Sequence, residues 1–204
     1  MSEALVFIVD DDAAVRDGLS MLCESSGLNA ECYDSAESFL DAYRPDQPGC
    51  LVLDVRMEGM SGPELHAILN QAGCPLAVIY LTGHGSIPLT VQSIKAGAVN
   101  FLTKPVNGTE LLECIRAALL ESTQMGLRIQ AKTTAANHIA SLTEREREVM
   151  VLMADGKTNK EIARHLGISH RTVEIHKARI MHKTGVNNLV DLIHLVEIGK
   201  RAPD

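Results

Sequence analysis

Residues 51–62 read LVLDVRMEGMSG, an apolar run that ends in an aspartate and is followed by a polar loop containing glycine. A short apolar run bounded by such a loop predicts a buried β-strand that ends next to Asp54. Other runs of this kind lie at residues 5–9, 29–33, 77–81 and 100–103. Stretches with helical patterns alternate with them, at residues 13–26, 35–43, 63–70, 87–96 and 109–122. This alternation predicts an α/β fold with a doubly wound parallel sheet.

Polar side chains follow four of the predicted strands at the point where each strand ends. They are Asp10 and Asp11, Asp54, Thr82 and Lys104. Because sites in open parallel sheets form beyond the carboxyl ends of the strands, we expect these side chains to converge. Unpaired carboxylates would repel one another, and a divalent cation with oxygen ligands relieves that repulsion. A lysine and a hydroxyl are what a phosphoryl group needs, so Asp54 is a candidate nucleophile for phosphoryl transfer.

A second interpretation of the strand-end aspartates is that they cap the helices that follow. Asp12 is placed to do so. Capping or contact with solvent would also account for Asp10 or Asp11 taken alone. The presence of Asp54, Thr82 and Lys104 at matching strand ends favours a chemical site.

Composition and charge limit the class of protein. The chain has 204 residues, 46% of them hydrophobic and 22% charged, and no apolar run long enough to span a bilayer. Its N-terminus lacks the basic start of a signal peptide, so we expect a cytoplasmic protein with no membrane partner. The five cysteines are scattered without a C-x-x-C pair, which indicates neither a zinc site nor a disulfide framework.

The two halves of the chain differ in charge. Residues 1–125 carry a net charge of −11 and residues 126–204 a net charge of +4. A basic half favours nucleic acid as its partner, although a mildly basic surface is often only solvated. No aromatic residue follows Phe101, which argues against single-stranded nucleic acid because such sites stack bases on aromatic rings. Double-stranded DNA is therefore favoured.

The second half carries clear signals for short helices. Thr143 with Glu146, and Thr158 with Glu161, form T-x-x-E capping boxes, each of which begins a helix. Further caps are expected at Ser169, at Asn187 or Asn188, and at the glycines 156, 167, 185 and 199. Two short helices joined at residues 166–169 predict a helix-turn-helix. Residues 132–137, KTTAAN, are small and polar, which is typical of a domain boundary.

Four motifs of the first half contain these strand ends: IVDDD (residues 8–12), LVLDVRMEGMSG (51–62), LTGHG (81–85) and AGAVNFLTKP (96–105). The resemblance that they carry is to the receiver domain of bacterial two-component response regulators, a flavodoxin-like (βα)5 fold. It implies that Asp54 accepts phosphate from a sensor histidine kinase. It also implies that Asp11, Asp54 and the backbone carbonyl of Arg56 bind Mg²⁺ or Mn²⁺, with Asp10 holding a metal-bound water.

The same resemblance implies roles for three more residues and a special peptide bond. Lys104 would pair with the carboxylate and then with the phosphoryl group, while Thr82 and Phe101 would move inward after phosphorylation. The bond between Lys104 and Pro105 would be cis. One departure is Glu58, where the family usually has proline, and it adds negative charge beside the pocket. His84, close behind Thr82, is explained by its loop position and is given no chemical role.

The second half resembles the LuxR or NarL type of helix-turn-helix, and the whole chain resembles the FixJ-like subfamily. The predicted domains are a receiver at residues 1–122, a linker or linker helix at 123–140 and a DNA-binding domain at 141–204. The lysines and arginines of the helix pair would mainly meet phosphates, while Glu174, Ile175 and Ala178 match the family's base-facing positions. His176 either lies near the DNA backbone or packs against the core. The candidate DNA-binding residues are Asn159, Lys160, Arg171, Thr172, Glu174, Ile175, His176, Lys177, Ala178, Arg179 and Lys183.

These observations predict a transcriptional regulator, not an enzyme. Its expected partners are the kinase, double-stranded DNA, a second copy of itself after phosphorylation, and RNA polymerase as a further candidate. An aspartyl phosphatase is disfavoured because Arg56 stands where such enzymes have the acid for the leaving group. A third hypothesis makes the receiver a constitutive dimerisation unit that is never phosphorylated. Slow loss of its own phosphate is the most turnover that we expect.

Overall fold

The computed structural model describes residues 5–83 and 97–200, with backbone only at residues 199 and 200. The chain divides into two compact units, Met1–Leu127 and Arg128–Asp204. No helix in the described part of the chain is both long and apolar enough to cross a membrane. The predicted helix at residues 87–96 lies outside the described residues.

The first unit contains a five-stranded parallel sheet. Its strands are β1 (Leu5–Val9), β2 (Asn29–Tyr33), β3 (Gly49–Asp54), β4 (Leu76–Thr82) and β5 (Asn100–Thr103), in the order β2-β1-β3-β4-β5. The predicted parallel sheet is confirmed. β3 and β4 are longer than predicted, since each begins earlier and includes its polar last residue. The register pairs Asp54 with Leu81 and Thr82 with Thr103, so these strands end at one edge of the sheet.

Helices cover both faces of this sheet, and its central strands β1, β3 and β4 are accordingly buried on both sides. The described helices of the unit are α1 (Ala13–Ser25), α2 (Ala36–Ala42), α3 (Gly62–Gln71) and the start of α4 (Gly108–Ala140). Alternate residues of β1 show the two cores directly. Phe7 packs with Phe39 and Leu65 on one face, and Ile8 packs with Ile115 and its neighbours on the other. The prediction of a doubly wound α/β domain is therefore confirmed.

The helix α4 continues beyond residue 122 to Ala140, so residues 123–140 form the linker helix that was one of the two alternatives for this segment. The side chain of Asn107 accepts hydrogen bonds from the backbone N–H groups of Thr109 and Glu110 and so caps its first turn. Residues 127–140 contain neither glycine nor proline and include several alanines, whose helix propensity is high. The small, polar residues 132–137 therefore do not interrupt the helix.

The second unit is built from short helices, and the predicted caps are present except at Gly199, which was predicted to end the last helix but lies inside it. Beyond α4 these are α5 (Glu144–Ala154), α6 (Asn159–Leu166), α7 (His170–Thr184) and α8 (Leu189–Lys200). Both predicted capping boxes are present, and Gly167 ends α6 in the left-handed conformation with φ of 65°. The backbone N–H of Asp191 donates to the side chain of Asn188, which identifies Asn188 as the cap of α8. Ile162, Val173 and Ile180 are fully buried, as their helical spacing predicts.

A buried serine joins α4 to the end of the sheet opposite the polar strand ends. The hydroxyl of Ser122 accepts a hydrogen bond from the backbone N–H of Gly49 at 2.7 Å and donates one to the carbonyl of Pro75. Ser122 is fully buried, so neither backbone group has water as a substitute partner. One hydroxyl therefore provides the hydrogen-bond partner for a backbone N–H and a backbone carbonyl at the amino ends of β3 and β4.

We expect Ser122→Ala to destabilise the first unit by about 1–3 kcal/mol, because a buried N–H and a buried carbonyl lose their partner. Thr123→Ala is the matched control, since the Thr123 hydroxyl donates only within its own helix. Urea unfolding followed by tyrosine fluorescence measures the effect on this unit alone, because all three tyrosines lie in it. Equal midpoints for the two variants would contradict the expectation.

Candidate functional site

The carboxyl edge of the sheet gathers two carboxylates and one ammonium group. The Nζ atom of Lys104 lies 2.5 Å from Oδ2 of Asp10 and 2.8 Å from Oδ1 of Asp54. Asp10 is 1% exposed and Asp54 is 6% exposed. The carboxyl ends of three strands, β1, β3 and β5, therefore come together around the single positive charge of Lys104.

Backbone groups hold these side chains in place. The N–H of Asp12 donates to Oδ1 of Asp10 at 3.1 Å, and the N–H of Arg56 donates to Oδ2 of Asp54 at 2.7 Å. The N–H of Lys104 donates to the carbonyl of Thr82 at 2.7 Å, which fixes the lysine against β4. Each charged group thus has a defined direction before any ligand arrives. The cis bond between Lys104 and Pro105, implied by the family resemblance, is present.

The proton affinities of the pocket reflect both burial and charge. Burial raises the pKa of Asp10 above its ordinary value, and the hydrogen bond from Lys104 only partly offsets this. Burial acts in the opposite direction on Lys104, but its hydrogen bonds to Asp10 and Asp54 outweigh it and raise the pKa of the ammonium. Lys104 therefore stays charged at neutral pH and shields two carboxylates that would otherwise repel each other.

The other predicted pocket residues lie at the same edge with different exposure. Asp11 is exposed, and Thr82 is buried at the end of β4. Asp12 caps α1 by accepting from the N–H of Ala14, as the capping interpretation expected for this residue. Phe101 is half-buried, with its ring 6.4 Å from that of Tyr80. Among the described residues, no three histidine, cysteine, aspartate or glutamate side chains cluster closely enough to form a metal site by themselves.

Two supporting residues were not predicted from the sequence. The guanidinium of Arg16, on α1, donates to the backbone carbonyl of Asp10 at 2.7 Å. The carboxylate of Glu37, at the start of α2, accepts from the N–H of Met60 at 2.9 Å and so ties down the loop after Asp54. Neither belongs to a motif, because each contact joins segments whose spacing in sequence is arbitrary. Glu58 is exposed in that same loop, and His84 lies outside the described residues.

The second unit presents a helix-turn-helix formed by α6 and α7. Gly167 turns the chain, and the Ser169 hydroxyl accepts from the N–H of Thr172 at the start of α7. Glu174 and Ile175 are exposed near the N-terminal end of α7, although an apolar side chain such as Ile175 usually avoids solvent. Ala178, one turn further, is also exposed. This exposed surface is suited to contacts in a DNA groove.

The basic candidate residues fall into two groups. Lys160, Arg171 and Arg179 are exposed. By contrast, Lys177 is half-buried and donates to the Asn159 side chain at 2.9 Å, which links α7 to the start of α6. The exposed set is free to meet phosphates, whereas Lys177 and Asn159 hold the two helices together.

The last two candidate DNA-binding residues, His176 and Lys183, differ in their surroundings. His176 is half-buried, and its Nδ1 atom is buried without a hydrogen-bond partner. The ammonium of Lys183 lies 2.7 Å from Oε2 of Glu146, a carboxylate that is 3% exposed and also belongs to the capping box of α5. The partial burial of His176 favours its core-packing interpretation, and the ion pair with Glu146 gives Lys183 a structural partner.

These two units define a class, that of the bacterial response regulators. The family described as "Response regulator receiver domain" matches residues 6–116, and the family described as "Bacterial regulatory proteins, luxR family" matches residues 140–196. The chain therefore belongs to the response regulators that carry a LuxR-type DNA-binding domain, as the sequence motifs predicted.

Relatives of the chain resemble it over all or nearly all of its length. It is 44% identical over 204 residues to "Transcriptional regulatory protein FixJ" of Azorhizobium caulinodans, covering 100% of this chain and 97% of that protein. It is 41% identical to "Response regulator protein TodT" of Pseudomonas putida, covering 95% of this chain and 86% of that protein.

Solved structures agree with this assignment. The response regulator StyR matches with a TM-score of 0.85 and 42% identity, covering 96% of this chain and 99% of that chain. Full-length FixJ from B. japonicum matches with a TM-score of 0.58 and 36% identity over 100% of both chains. The two domains of the chain therefore occur together in proteins of known structure.

The pair formed by Glu146 and Lys183 makes the stability of the second unit depend on pH. Hydrogen bonding from Lys183, together with the backbone N–H of Thr143, lowers the pKa of Glu146 from 4.5 to about 2. Since the folded state binds the proton more weakly than the unfolded state, the carboxylate stabilises the fold above pH 4.5. That contribution is lost as the pH falls towards 2.

We expect Lys183→Met to destabilise the second unit at pH 7 by about 1–3 kcal/mol, because a buried carboxylate loses its charged partner. The difference from wild type should be constant above pH 5 and shrink as the pH falls towards 2, because Glu146 then becomes protonated in the folded as well as in the unfolded state. Amide hydrogen exchange along α5 and α7 measures this difference in the stability of the second unit. Lys157→Met, at an exposed position, is the control. A deficit that persists unchanged at pH 2 would contradict this reasoning.

Proposed function

We propose that the protein accepts a phosphoryl group on Asp54 from a sensor histidine kinase and thereby controls its own binding to DNA. The observation that carries this proposal is the Lys104 ammonium placed between the carboxylates of Asp10 and Asp54, at 2.5 and 2.8 Å. A cation in this position stabilises the negative charge of a phosphoryl oxygen once it is attached to Asp54. The family match to receiver domains supports the same assignment.

In the proposed reaction, a carboxylate oxygen of Asp54 attacks the phosphorus of a phosphohistidine. A bond between that oxygen and phosphorus forms as the phosphorus–nitrogen bond breaks, and the imidazole leaves with the electron pair and takes a proton. Lys104 then contacts the phosphoryl group, and the hydroxyl of Thr82 donates to one of its oxygens. Thr82 lies at the end of the neighbouring strand, since Asp54 pairs with the residue before it.

A magnesium or manganese ion fits the residues at this edge. Such an ion needs only one or two carboxylates, with water and phosphate oxygens completing its shell, so a cluster of three acidic side chains is not required. We assign Asp54, Asp11 and the carbonyl of Arg56 as its ligands, with Asp10 acting through water. Bound there, the ion would offset the charge of the incoming phosphoryl group. Receiver domains in general depend on Mg²⁺ for phosphorylation.

The output is sequence-specific binding to double-stranded DNA and regulation of transcription. This rests on the LuxR-type match and on the exposed side chains of Glu174 and Ile175 at the start of α7. Glu174 would accept from cytosine and Ile175 would touch a thymine methyl group. Lys160, Arg171 and Arg179 would meet phosphates. Relatives carry names such as "Transcriptional regulatory protein FixJ", which supports this reading.

Phosphorylation would act through dimerisation. Inward movement of Thr82 and Phe101 would reshape the surface around β5 and allow a second copy to bind. Two helix-turn-helix units on paired half-sites bind DNA far more tightly than one. RNA polymerase is a further candidate partner, and the proposed target places the protein in the cytoplasm. Turnover would be limited to slow hydrolysis of its own phosphate, because Arg56 stands where a phosphatase has its acid.

Asp54→Asn tests the switch. Wild-type protein treated with acetyl phosphate and magnesium should gain at least tenfold in affinity for DNA selected from a random library, because linking two sites multiplies affinity. The variant should gain nothing, since its amide cannot form the acyl phosphate. Mass spectrometry of the intact chain checks directly whether a phosphoryl group is attached. Asp12→Asn is the control, because asparagine caps α1 as well as aspartate does.

Two outcomes would decide against the proposal. Equal stimulation of wild type and Asp54→Asn would show that another group carries the signal. Strong DNA binding by untreated wild type, with no further gain, would favour the constitutive dimer. Multiple turnover of a phosphate ester that depends on Asp54 would favour the phosphatase.

The DNA contacts are separable by mutation. Glu174→Ala should remove discrimination at one base-pair position, worth about 1–3 kcal/mol, while the rest of the selected sequence stays the same. Arg171→Ala should weaken binding to all sequences alike and reduce the salt dependence by about one counterion. Selection from random DNA and a salt titration measure the two effects. A changed base preference in Arg171→Ala would contradict the assignment of Arg171 to phosphate.

A further inference from the structure

A polar pair lies inside the apolar core that separates the sheet from α3. His66 is 3% exposed and Tyr80 is 1% exposed. Tyr80 belongs to the core that contains Phe7 and Phe39, and His66 follows Leu65 of that core on α3. The Nδ1 atom of His66 and the hydroxyl of Tyr80 share a hydrogen bond of 3.0 Å. Burial lowers the pKa of His66, so its ring is neutral at pH 7. Nothing in the pocket chemistry uses this pair.

Tyr80 connects His66 to the residues of the proposed switch. In the parallel pairing of β4 with β5, Tyr80 stands opposite Phe101, and Thr82 is two residues further along β4 on the same face. The rings of Tyr80 and Phe101 lie 6.4 Å apart at an angle of 50°. The Tyr80 ring also packs edge-to-face against His66, with ring centroids 5.7 Å apart. Tyr80 is therefore held between α3 and the half-buried ring of Phe101.

Because the core is closely packed, the position of Tyr80 determines whether the ring of Phe101 can move inward. Protein interiors have few voids, so a ring that turns inward next to Tyr80 requires Tyr80 to shift. A tyrosine bonded to His66 can shift only by breaking a buried hydrogen bond, which leaves two polar atoms without partners. Two apolar side chains would fill the same space without that restraint. The polar pair thus resists the movement that phosphorylation is proposed to cause.

We propose that His66 is a positioning residue for the receiver switch: through its hydrogen bond to Tyr80 it holds Phe101 in the half-exposed position and so sets how readily the receiver activates. This inference rests on the proposed function of Asp54. It assigns His66 an effect on the equilibrium between the two states and none on the chemistry of phosphorylation, since His66 contacts neither Asp54 nor Lys104.

Fluorine NMR of the full chain labelled with 4-fluorophenylalanine tests the inference. The chain has three phenylalanines, so Phe101 reports on the switch, while Phe7 and Phe39 report on the core around His66. Without phosphodonor, His66→Leu should move the Phe101 resonance towards its position in phosphorylated wild type. The activated population should rise about fivefold, as expected for loss of one hydrogen bond. His66→Asn keeps a hydrogen-bonding group near Nδ1 and should restore much of the wild-type spectrum.

Further variants separate positioning from general damage to the core. The double variant His66→Leu with Asp54→Asn should keep the shifted Phe101 resonance, because the effect needs no phosphate. Leu69→Ala, in the same helix and core, should lower stability without moving that resonance. Tyr80→Phe should raise DNA affinity in the absence of phosphodonor as much as His66→Leu does. Combining the two should add nothing, because they remove one and the same bond.

The outcomes are distinct. A Phe101 resonance in His66→Leu that matches unphosphorylated wild type, with Phe7 and Phe39 also unchanged, would overturn the inference. Equal shifts of the Phe7, Phe39 and Phe101 resonances in His66→Leu, together with a wild-type DNA affinity in Tyr80→Phe, would overturn it as well. If acetyl phosphate phosphorylates Asp54 of the wild type but does not shift the Phe101 resonance, both the proposed switch and this inference are overturned. Failure of Asp54 to accept phosphate at all would identify the proposed function as the part that failed.

Discussion

The ammonium of Lys104 between the carboxylates of Asp10 and Asp54 is the interaction on which the receiver unit depends. Two buried carboxylates a few ångströms apart repel each other strongly unless a cation lies between them. The five parallel strands bring the three side chains to one edge, and the backbone N–H groups of Asp12 and Arg56 orient the two carboxylates. A phosphoryl group on Asp54 would meet a positive charge already in place, so little reorganisation is needed.

Ionic and polar contacts of the same kind recur where elements far apart in sequence meet. Ser122 joins α4 to the amino ends of β3 and β4, and Glu146 joins α5 to α7 through Lys183. His66 joins α3 to β4 through Tyr80. Each places a polar group where water does not reach, and each therefore favours one arrangement of the elements over others. In the receiver this selectivity is what a switch between two states requires.

Local pattern was sufficient for the elements and for their caps. Apolar runs located all five strands, and T-x-x-E boxes located the starts of α5 and α6, because both depend on residues within one turn or one strand. The sequence left residues 123–140 open between a linker and a linker helix, and the structure shows the helix, since a polar segment without glycine or proline remains helical when nothing interrupts it. Arg16 and Glu37 were missed because they support backbone groups of distant segments.

The sequence by itself determined the order of strands and helices, the presence of acidic, hydroxyl and lysine side chains at strand ends, and the helix-turn-helix. These follow from periodicity and capping, which act over a few residues. Only the tertiary structure decided which charges pair. In it, Lys104 pairs with both Asp10 and Asp54. Lys183 pairs with Glu146, and Lys177 donates to Asn159. His66 is buried and shares a hydrogen bond with Tyr80. Such contacts depend on distances in space between segments whose separation along the chain is arbitrary.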